Sequence, residues 1–346
     1  MANRDIVVIG GSAGSIGPIK TILSDLPADL PAAVVIVVHV PSNSRGIYTS
    51  IASMGGGLPI KVAEDGDMIE VGRTYIAPPN HHLLITGKQL RLGNGPRENL
   101  VRPAIDPLFR SAAIHYGPRA IGIILSGMLN DGAAGLSAIK QCGGIALVQA
   151  PRDASASEMP LAALEATPVD LSAAAPDLAP AISHYVNQIA GDRPPVPADL
   201  QLEVAIANGG PTNSPDIAKI AGPSTFTCPD CGGVISEVNG STPLRFRCQV
   251  GHAFTAKALL TQKEESVDEA VRVALRIIEE RAGLVSRMSN DAKRAKRMGM
   301  AEMYQKRAAE YRGYAETLRR VVVQSMEETP GDLGYVDDED SDKIKA

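Results

Sequence analysis

The sequence predicts an α/β protein: a doubly wound, mostly parallel sheet, followed by a small zinc-ribbon-like unit and a C-terminal helical hairpin. Three observations predict it. In the first 190 residues, short runs that are apolar throughout alternate with helix-like segments, the pattern of a parallel sheet covered on both faces. Beyond them, Cys228, Cys231, Cys248 and His252 stand at metal-ligand spacing. The last stretch before the C-terminal tail carries apolar residues at helical steps.

Taken in order, the strands are expected over 6–9, 34–38, 60–63, 74–77, 121–125 and 145–149, and the helices over 17–26, 47–54, 106–115, 133–141 and 158–166. Residues 82–92 alternate in polarity around Thr86-Gly87 and read as a small hairpin. A helix over 178–189 closes this domain, assigned to 1–190. Residues 191–225 hold six prolines among Gly, Asn and Ser and read as a linker, with 200–207 inside it either a docked helix or a strand. The cysteine unit spans 226–256. A helical hairpin or coiled coil spans 257–329, with Tyr304, Ala308, Tyr311, Ala315, Leu318 and Val322 as a heptad seam fit for a homodimer interface. The acidic tail 330–346 has little to bury and is expected to be disordered.

The chemistry centres on Asp5 to Ser15, DIVVIGGSAGS. A buried strand stops at two glycines, and Gly10-Gly11-Ser12-Ala13-Gly14 fits G-x-S-x-G, the turn that lifts a serine hydroxyl above a parallel sheet. A dinucleotide site fits poorly, because a glycine would be needed at Ser12 and no acidic residue ends the second strand near position 35. A P-loop fails for want of Gly-Lys-Ser/Thr. The second strand runs instead into His39, and Asp131 follows the strand over 121–125. Ligands of open parallel sheets bind outside these strand ends, so a nucleophile (Ser12), a base (His39) and an orienting acid (Asp131) can meet in one crevice. Taken singly, His39 also reads as a structural histidine and Asp131 as the N-cap of the helix after it. The N–H of Ala13 is the natural first oxyanion donor. The order Ser, His, Asp excludes an ordinary α/β-hydrolase, in which the acid precedes the histidine.

Seven motifs occur in one order: GGSAGS, VVHVP, AEDGD, YIAPPNHH, VRPAIDPLF, ILSGMLNDGAAG and EMP. In these the chain resembles the catalytic domain of the chemotaxis protein-glutamate methylesterases, the CheB family, over roughly residues 5–189. The resemblance implies hydrolysis of glutamyl methyl esters on chemoreceptors, with glutamine deamidation in some members. It implies Ser12, His39 and Asp131 as the triad, the backbone of Met128 as the second oxyanion donor, and Arg102 near the cleft, where a surface salt bridge is the competing reading. It needs no cofactor for catalysis. One departure is Ser15, where the family usually has a glycine. Another is that the chain starts at the esterase's first strand, so control by a phosphorylated receiver domain in cis is expected to be absent.

The pattern C-x2-C-x16-C-x3-H of Cys228, Cys231, Cys248 and His252 supplies three thiolates and an imidazole, a closed set for structural zinc. Cys142 reads as a buried small residue. His81 and His82 are adjacent and face opposite ways in a strand, so they do not make a metal pair. The basic run 293–297 reads as a solvated turn between helices.

Composition sets outer bounds. The chain has 346 residues, enough for two or three domains, and 44% hydrophobic residues, enough for a core without disulfides. A net charge of −5 argues against a protein built for nucleic acid, and no apolar run is long enough to span a membrane. No signal-peptide pattern is present and the cysteines read as reduced, so a cytoplasmic location is expected. The partner is expected to be a methylated receptor or related signalling protein. The rival functions are the same triad acting on another ester or amide, and a signalling scaffold without catalysis.

Overall fold

Strand β1 (Ile6–Gly11) is buried along its whole length. Its side chains alternate between two cores, with Ile6 and Val8 in one and Val7 and Ile9 in the other. That is why the run is apolar without a polar alternate: both faces of the sheet are covered. In this computed structural model, which describes residues 3–39 and 57–327, β1 pairs in parallel with β2 (Ala33–Val38) on one side and with a strand over Ala120–Ile124 on the other. The helix expected over 47–54 and the tail 330–346 lie outside the described residues.

The remaining sheet strands are β3 (Ile60–Val62) and β4 (Thr74–Ile76). A hairpin of β5 (His82–Thr86) and β6 (Gln89–Gly93) stands apart from the sheet. After it come β7 (Ala120–Ile124), β8 (Ile145–Gln149) and β9 (Leu171–Ala173). The seven-stranded order is β3-β4-β2-β1-β7-β8-β9, and every pairing is parallel. From β1 the chain lays down β2, then β3 at the edge and β4 between them, before it returns to β7 and winds out through β8 to β9 on the other side. The switch point therefore lies between β1 and β7, where a crevice opens at the strand ends. Helix α1 (Ile16–Asp25) covers one face, and α2 (Ile105–Tyr116), α3 (Ala133–Gln141) and α4 (Glu158–Ala166) cover the other. Helix α5 (Ala175–Val186) joins α1 on the first face. Strand β9 was not expected; its three residues are too short to show a pattern.

The stretch read as a linker carries two helices, α6 (Ala198–Ala207) and α7 (Ser214–Ile220). Leu200 joins the main core, and Ile206, Ile217 and Ile220 form a cluster with Val238. Sequence left α6 open between helix and strand because Leu200, Leu202, Val204 and Ile206 recur every second residue, a strand period. Glu203 is buried with them, and that polar residue at a core position hides the helical face. Helix α7 starts at Asn213, whose Oδ1 accepts the Asp216 N–H at 2.9 Å.

Four antiparallel strands then form the ribbon: β10 (Ala221–Thr227), β11 (Val234–Val238), β12 (Arg245–Cys248) and β13 (Ala253–Thr255). Its small core is Cys228, Ile235, Phe246, Cys248, Phe254 and Leu259. The chain divides into two compact units after Leu260, so α6, α7 and the ribbon belong to the same unit as the sheet. A buried ion network joins them. Glu98 pairs with Arg110 and, at 3.0 Å, with Arg247; Glu203 pairs with Arg245 at 2.8 Å and with Arg247 at 3.2 Å.

The second unit is a hairpin of α8 (Ala256–Arg294), from Thr261 onward, and α9 (Met298–Glu327). The basic run forms the turn between them, with Lys296 at φ 58°. Ala308, Tyr311 and Ala315 of the heptad seam are buried against α8, and Arg281 donates to the Tyr311 hydroxyl at 2.8 Å. Ser289 donates to the Ala301 carbonyl at 2.8 Å, close to the turn. Half of the seam read as a homodimer interface is thus covered within the chain, because a short turn brings α8 onto it, while Tyr304, Leu318 and Val322 are only partly buried. No described helix is long and apolar enough to cross a membrane.

Candidate active site and cysteine cluster

The chain on either side of Ser12 needs glycine at two positions. A Cβ at Gly10 would meet Ile105 Cγ2 at 2.4 Å, and Gly14 sits at φ +76°, a region that favours glycine. Ser12 is half-buried between them, and its N–H donates to the Ser126 carbonyl at 2.9 Å. Ser15, the departure noted in the sequence, is fully buried, and its hydroxyl donates to the Ser12 carbonyl at 2.7 Å. A glycine there would lack this tie, so Ser15 steadies the turn at Ser12.

His39 extends the β1–β2 ladder by one residue, its N–H donating to the Gly11 carbonyl at 3.1 Å. This register puts His39 and Ser12 each one residue past the paired ends of β2 and β1. Its Nε2 lies 2.8 Å from Asp131 Oδ2. Asp131 also accepts the Ile105 N–H at 2.6 Å, the Asp106 N–H at 3.3 Å and an Asn99 Nδ2 proton at 2.8 Å. It therefore caps α2 rather than the helix that follows it in sequence; Gly132, at φ +89°, stands at the start of α3. Burial pushes its pKa up, but the hydrogen bond and charge of His39, with the Ile105 and Asn99 donors, outweigh burial and hold the carboxyl below its ordinary range. Neighbouring Asp106 goes the other way: burial, and then the charge on Asp131, push it up to about 7. Asn99 thus touches two carboxyl groups whose pKa values are pushed in opposite directions.

Ala13 is exposed, and its carbonyl accepts the Ser126 hydroxyl at 2.7 Å. This bond draws the loop after β7 over the serine turn. Met128 in that loop is 56% exposed, and the next residue, Leu129, is at φ 60° with its N–H donating to Glu158 Oε2 at 3.1 Å. Glu158, of the EMP motif, also pairs with Lys257 at the start of α8.

Arg102 lies toward the ribbon. Its Nη1 donates to the Gly95 carbonyl at 2.8 Å, and it lines a depression with Arg97, Asp230 and His252. His82 is buried, placed between the Pro96 carbonyl and the Ala104 N–H, with burial lowering its pKa. Asn99 was not foreseen: a single asparagine in an irregular loop carries no periodic or motif signal.

In the ribbon, ligand atoms of Cys228, Cys231, Cys248 and His252 lie within 4.8 Å of one another. His252 Nδ1 is 3.8 Å from Cys228 Sγ and 3.4 Å from Cys248 Sγ, and Cys231 Sγ is 3.8 Å from Cys248 Sγ. Edges of about 3.5–3.8 Å are those of a tetrahedron around zinc with three sulfurs and one nitrogen. The same spacing is far too long for a disulfide. His252 Nε2 faces Asp230 at 3.8 Å, which leaves Nδ1 for the metal. The residues fit a structural metal ion.

The class of protein is that of a doubly wound α/β fold, with a strand-end serine, a histidine and a buried aspartate near its switch point. The sequence model of the family described as CheB methylesterase matches residues 7–182. The chain belongs to that family. A relative from Leptospira interrogans, named putative protein-glutamate methylesterase/protein-glutamine glutaminase, is 44% identical over 169 residues, which are 49% of this chain and 88% of the relative. One from Oleidesulfovibrio alaskensis with the same two activities in its name is 35% identical over 53% of this chain, and there the match spans only 51% of the relative. The crystal structure of the Thermotoga maritima CheB methylesterase catalytic domain superposes with a TM-score of 0.50 at 30% identity, over 53% of this chain and 98% of that domain.

Proposed function

We propose that this chain hydrolyses methyl esters of glutamate side chains on a chemoreceptor or related signalling protein. Asp131, ionised and buried, accepts the Nε2 proton of His39 and so leaves Nδ1 with the lone pair. Nδ1 takes the Ser12 proton as the serine oxygen attacks the ester carbonyl. The N–H groups of Ala13 and Met128 hold the oxyanion. The tetrahedral species collapses, His39 returns the proton to the leaving oxygen, and methanol departs. A water, deprotonated by His39, then attacks the acyl-enzyme and releases the glutamate carboxylate with Ser12 restored. The same path with a glutamine side chain releases ammonia, in line with the double name of the relatives. Zinc, when bound in the ribbon, supplies no step: four protein ligands close its sphere, and its part is to hold the fold.

The observation that supports this reading best is the 2.8 Å His39–Asp131 pair at the strand ends, next to the serine turn. Arg102 is assigned to the approach of the substrate rather than to the reacting atoms. The test is methanol release from a methylated receptor fragment. Wild type should turn over, and Ser12→Ala should lose about a millionfold on the precedent of serine triads. Equal rates for the two would remove Ser12 from the reaction.

A further inference from the structure

Asn99 stands where the ribbon meets the Asp131 carboxylate. Its side-chain amide has one acceptor oxygen and two donor hydrogens, and all three are used. The oxygen accepts the Thr255 N–H of β13 at 2.9 Å. The two hydrogens go to Asp131 Oδ1 at 2.8 Å and Asp106 Oδ2 at 3.1 Å. The ribbon therefore decides which way the amide faces. A backbone N–H only donates, so the oxygen must turn to β13 and the NH2 to the carboxyl pair; reversing the amide sets oxygen against carboxylate and N–H against N–H.

The backbone of this residue is tied to the same strand. The Asn99 N–H donates to the Ala253 carbonyl at 2.8 Å, and the Ala253 N–H donates to the Arg97 carbonyl at 3.3 Å. Asn99 and Leu100 hold φ of 50° and 72°, left-handed values that asparagine accepts more readily than most residues. The Thr255 hydroxyl reaches Asn130, the residue before Asp131. Asn99, Asp106, Asp131 and Thr255 are 6%, 1%, 3% and 0% exposed, so water has no route to replace a lost bond.

We propose that Asn99 is a positioning residue for the Asp131–His39 pair and that ribbon strand β13 sets its orientation. The inference rests on the esterase reading above. Asn99 does not touch the reacting atoms; it fixes the Oδ1 edge of Asp131, so that Oδ2 is presented to His39. The ribbon, outside the residues matched by the family model, becomes a working part of the site.

The test uses the full chain. Asn99→Ala removes donors and acceptor together. Asn99→Asp keeps an acceptor for Thr255 and removes both donors. Two readouts are taken: the rate at which a fluorophosphonate probe labels Ser12, and the downfield proton resonance of the His39 ring N–H. Both variants should label about 10- to 100-fold more slowly, the usual cost of losing an outer-shell partner, with a shifted or lost His39 resonance. On substrate the loss should fall on kcat and leave KM alone. Wild-type labelling with an unmoved resonance in either folded variant overturns the proposal. Should neither variant fold, the unaltered protein decides. Its Asn99 side-chain amide protons must exchange slowly and shift on Ser12 acylation, and exchange as fast as in a free asparagine overturns it. A wild type that labels but releases no methanol removes the substrate reading and leaves Asn99 in place; one that does not label removes both.

Discussion

Asp131 accepts the backbone N–H of Ile105 at 2.6 Å, so the carboxylate that faces His39 also closes the N-terminus of α2. Asp131→Asn should therefore show two losses at once. Asp131 Oδ2 accepts both the His39 Nε2–H and the Ile105 N–H, and Oδ1 accepts from Asn99 and the Asp106 N–H; an asparagine has one oxygen for the two sides, so its NH2 must confront one pair of donors. Turnover should fall about ten-thousandfold through the wrong histidine tautomer. Stability should fall by about 1–2 kcal/mol, the scale of a lost helix cap, read as a lower urea midpoint. A variant that lost activity with an unchanged midpoint would separate the two roles assigned to this carboxylate.

Asp106 gives a pH dependence of unusual sign for an acid. Its pKa in the folded chain is about 7, raised by burial and by Asp131, against an ordinary value of 3.8. Below that ordinary value the group is neutral in both states and costs nothing. As pH rises toward 7 the unfolded chain releases the proton while the folded chain keeps it, so stability contributed by this group is lost across that window. Asp106→Asn carries no proton to lose. Its urea midpoint should run flatter than wild type between about pH 4 and 7, and parallel curves would place the proton elsewhere.

What could be read from the sequence follows from how local each signal is. The sheet is legible because β1, β2, β7 and β8 are buried on both faces and leave continuous apolar runs. Ser12, His39 and Asp131 are legible because each stands at the end of such a run. The direction of the Asp131 cap is not, because Ile105 lies 26 residues away and only the fold brings its N–H to the carboxylate. Asn99 and the network of Glu98, Arg110, Glu203, Arg245 and Arg247 are invisible for the same reason. Charged residues scattered over three segments read as surface until the chain brings them inside. The prolines of 191–225 read as a tether, although α6 and α7 pack onto the core between them.

Glu203 sits at the centre of that network, 1% exposed, with Arg245 and Arg247 in direct contact and Arg110 at 3.5 Å. Burial alone would raise its pKa, but the charges of Arg110, Arg245 and Arg247 hold it far below the usual carboxylate range. Glu203→Gln leaves three buried guanidiniums with Glu98 as the nearest remaining acid. Breaking a buried pair in this way costs about 3–5 kcal/mol. The sign with pH opposes that of Asp106: the stability from Glu203 is present above the ordinary glutamate pKa and is lost as pH falls through its depressed folded value. Wild type should be more stable than the variant at neutral pH, with the gap narrowing in strong acid.

The cysteine cluster makes a prediction that reaches the active site. The purified chain should carry one zinc per molecule, held by Cys228, Cys231, Cys248 and His252, with Cys231 exposed and open to a chelator. The ribbon core is small, with Ile235, Phe246, Phe254 and Leu259 as its main apolar residues, so metal binding should supply much of its stability. Strand β13 begins one residue after His252 and carries the Thr255 N–H that holds Asn99. A strong chelator should therefore lower the thermal midpoint and slow fluorophosphonate labelling of Ser12 together, although no zinc ligand lies at the serine turn. Re-addition of zinc should restore both. Cys228→Ser should behave like the chelated protein and stay insensitive to added metal. Labelling that continued at full rate after the metal was gone, with the thermal midpoint lowered, would detach the ribbon from the esterase site and leave zinc a purely local role.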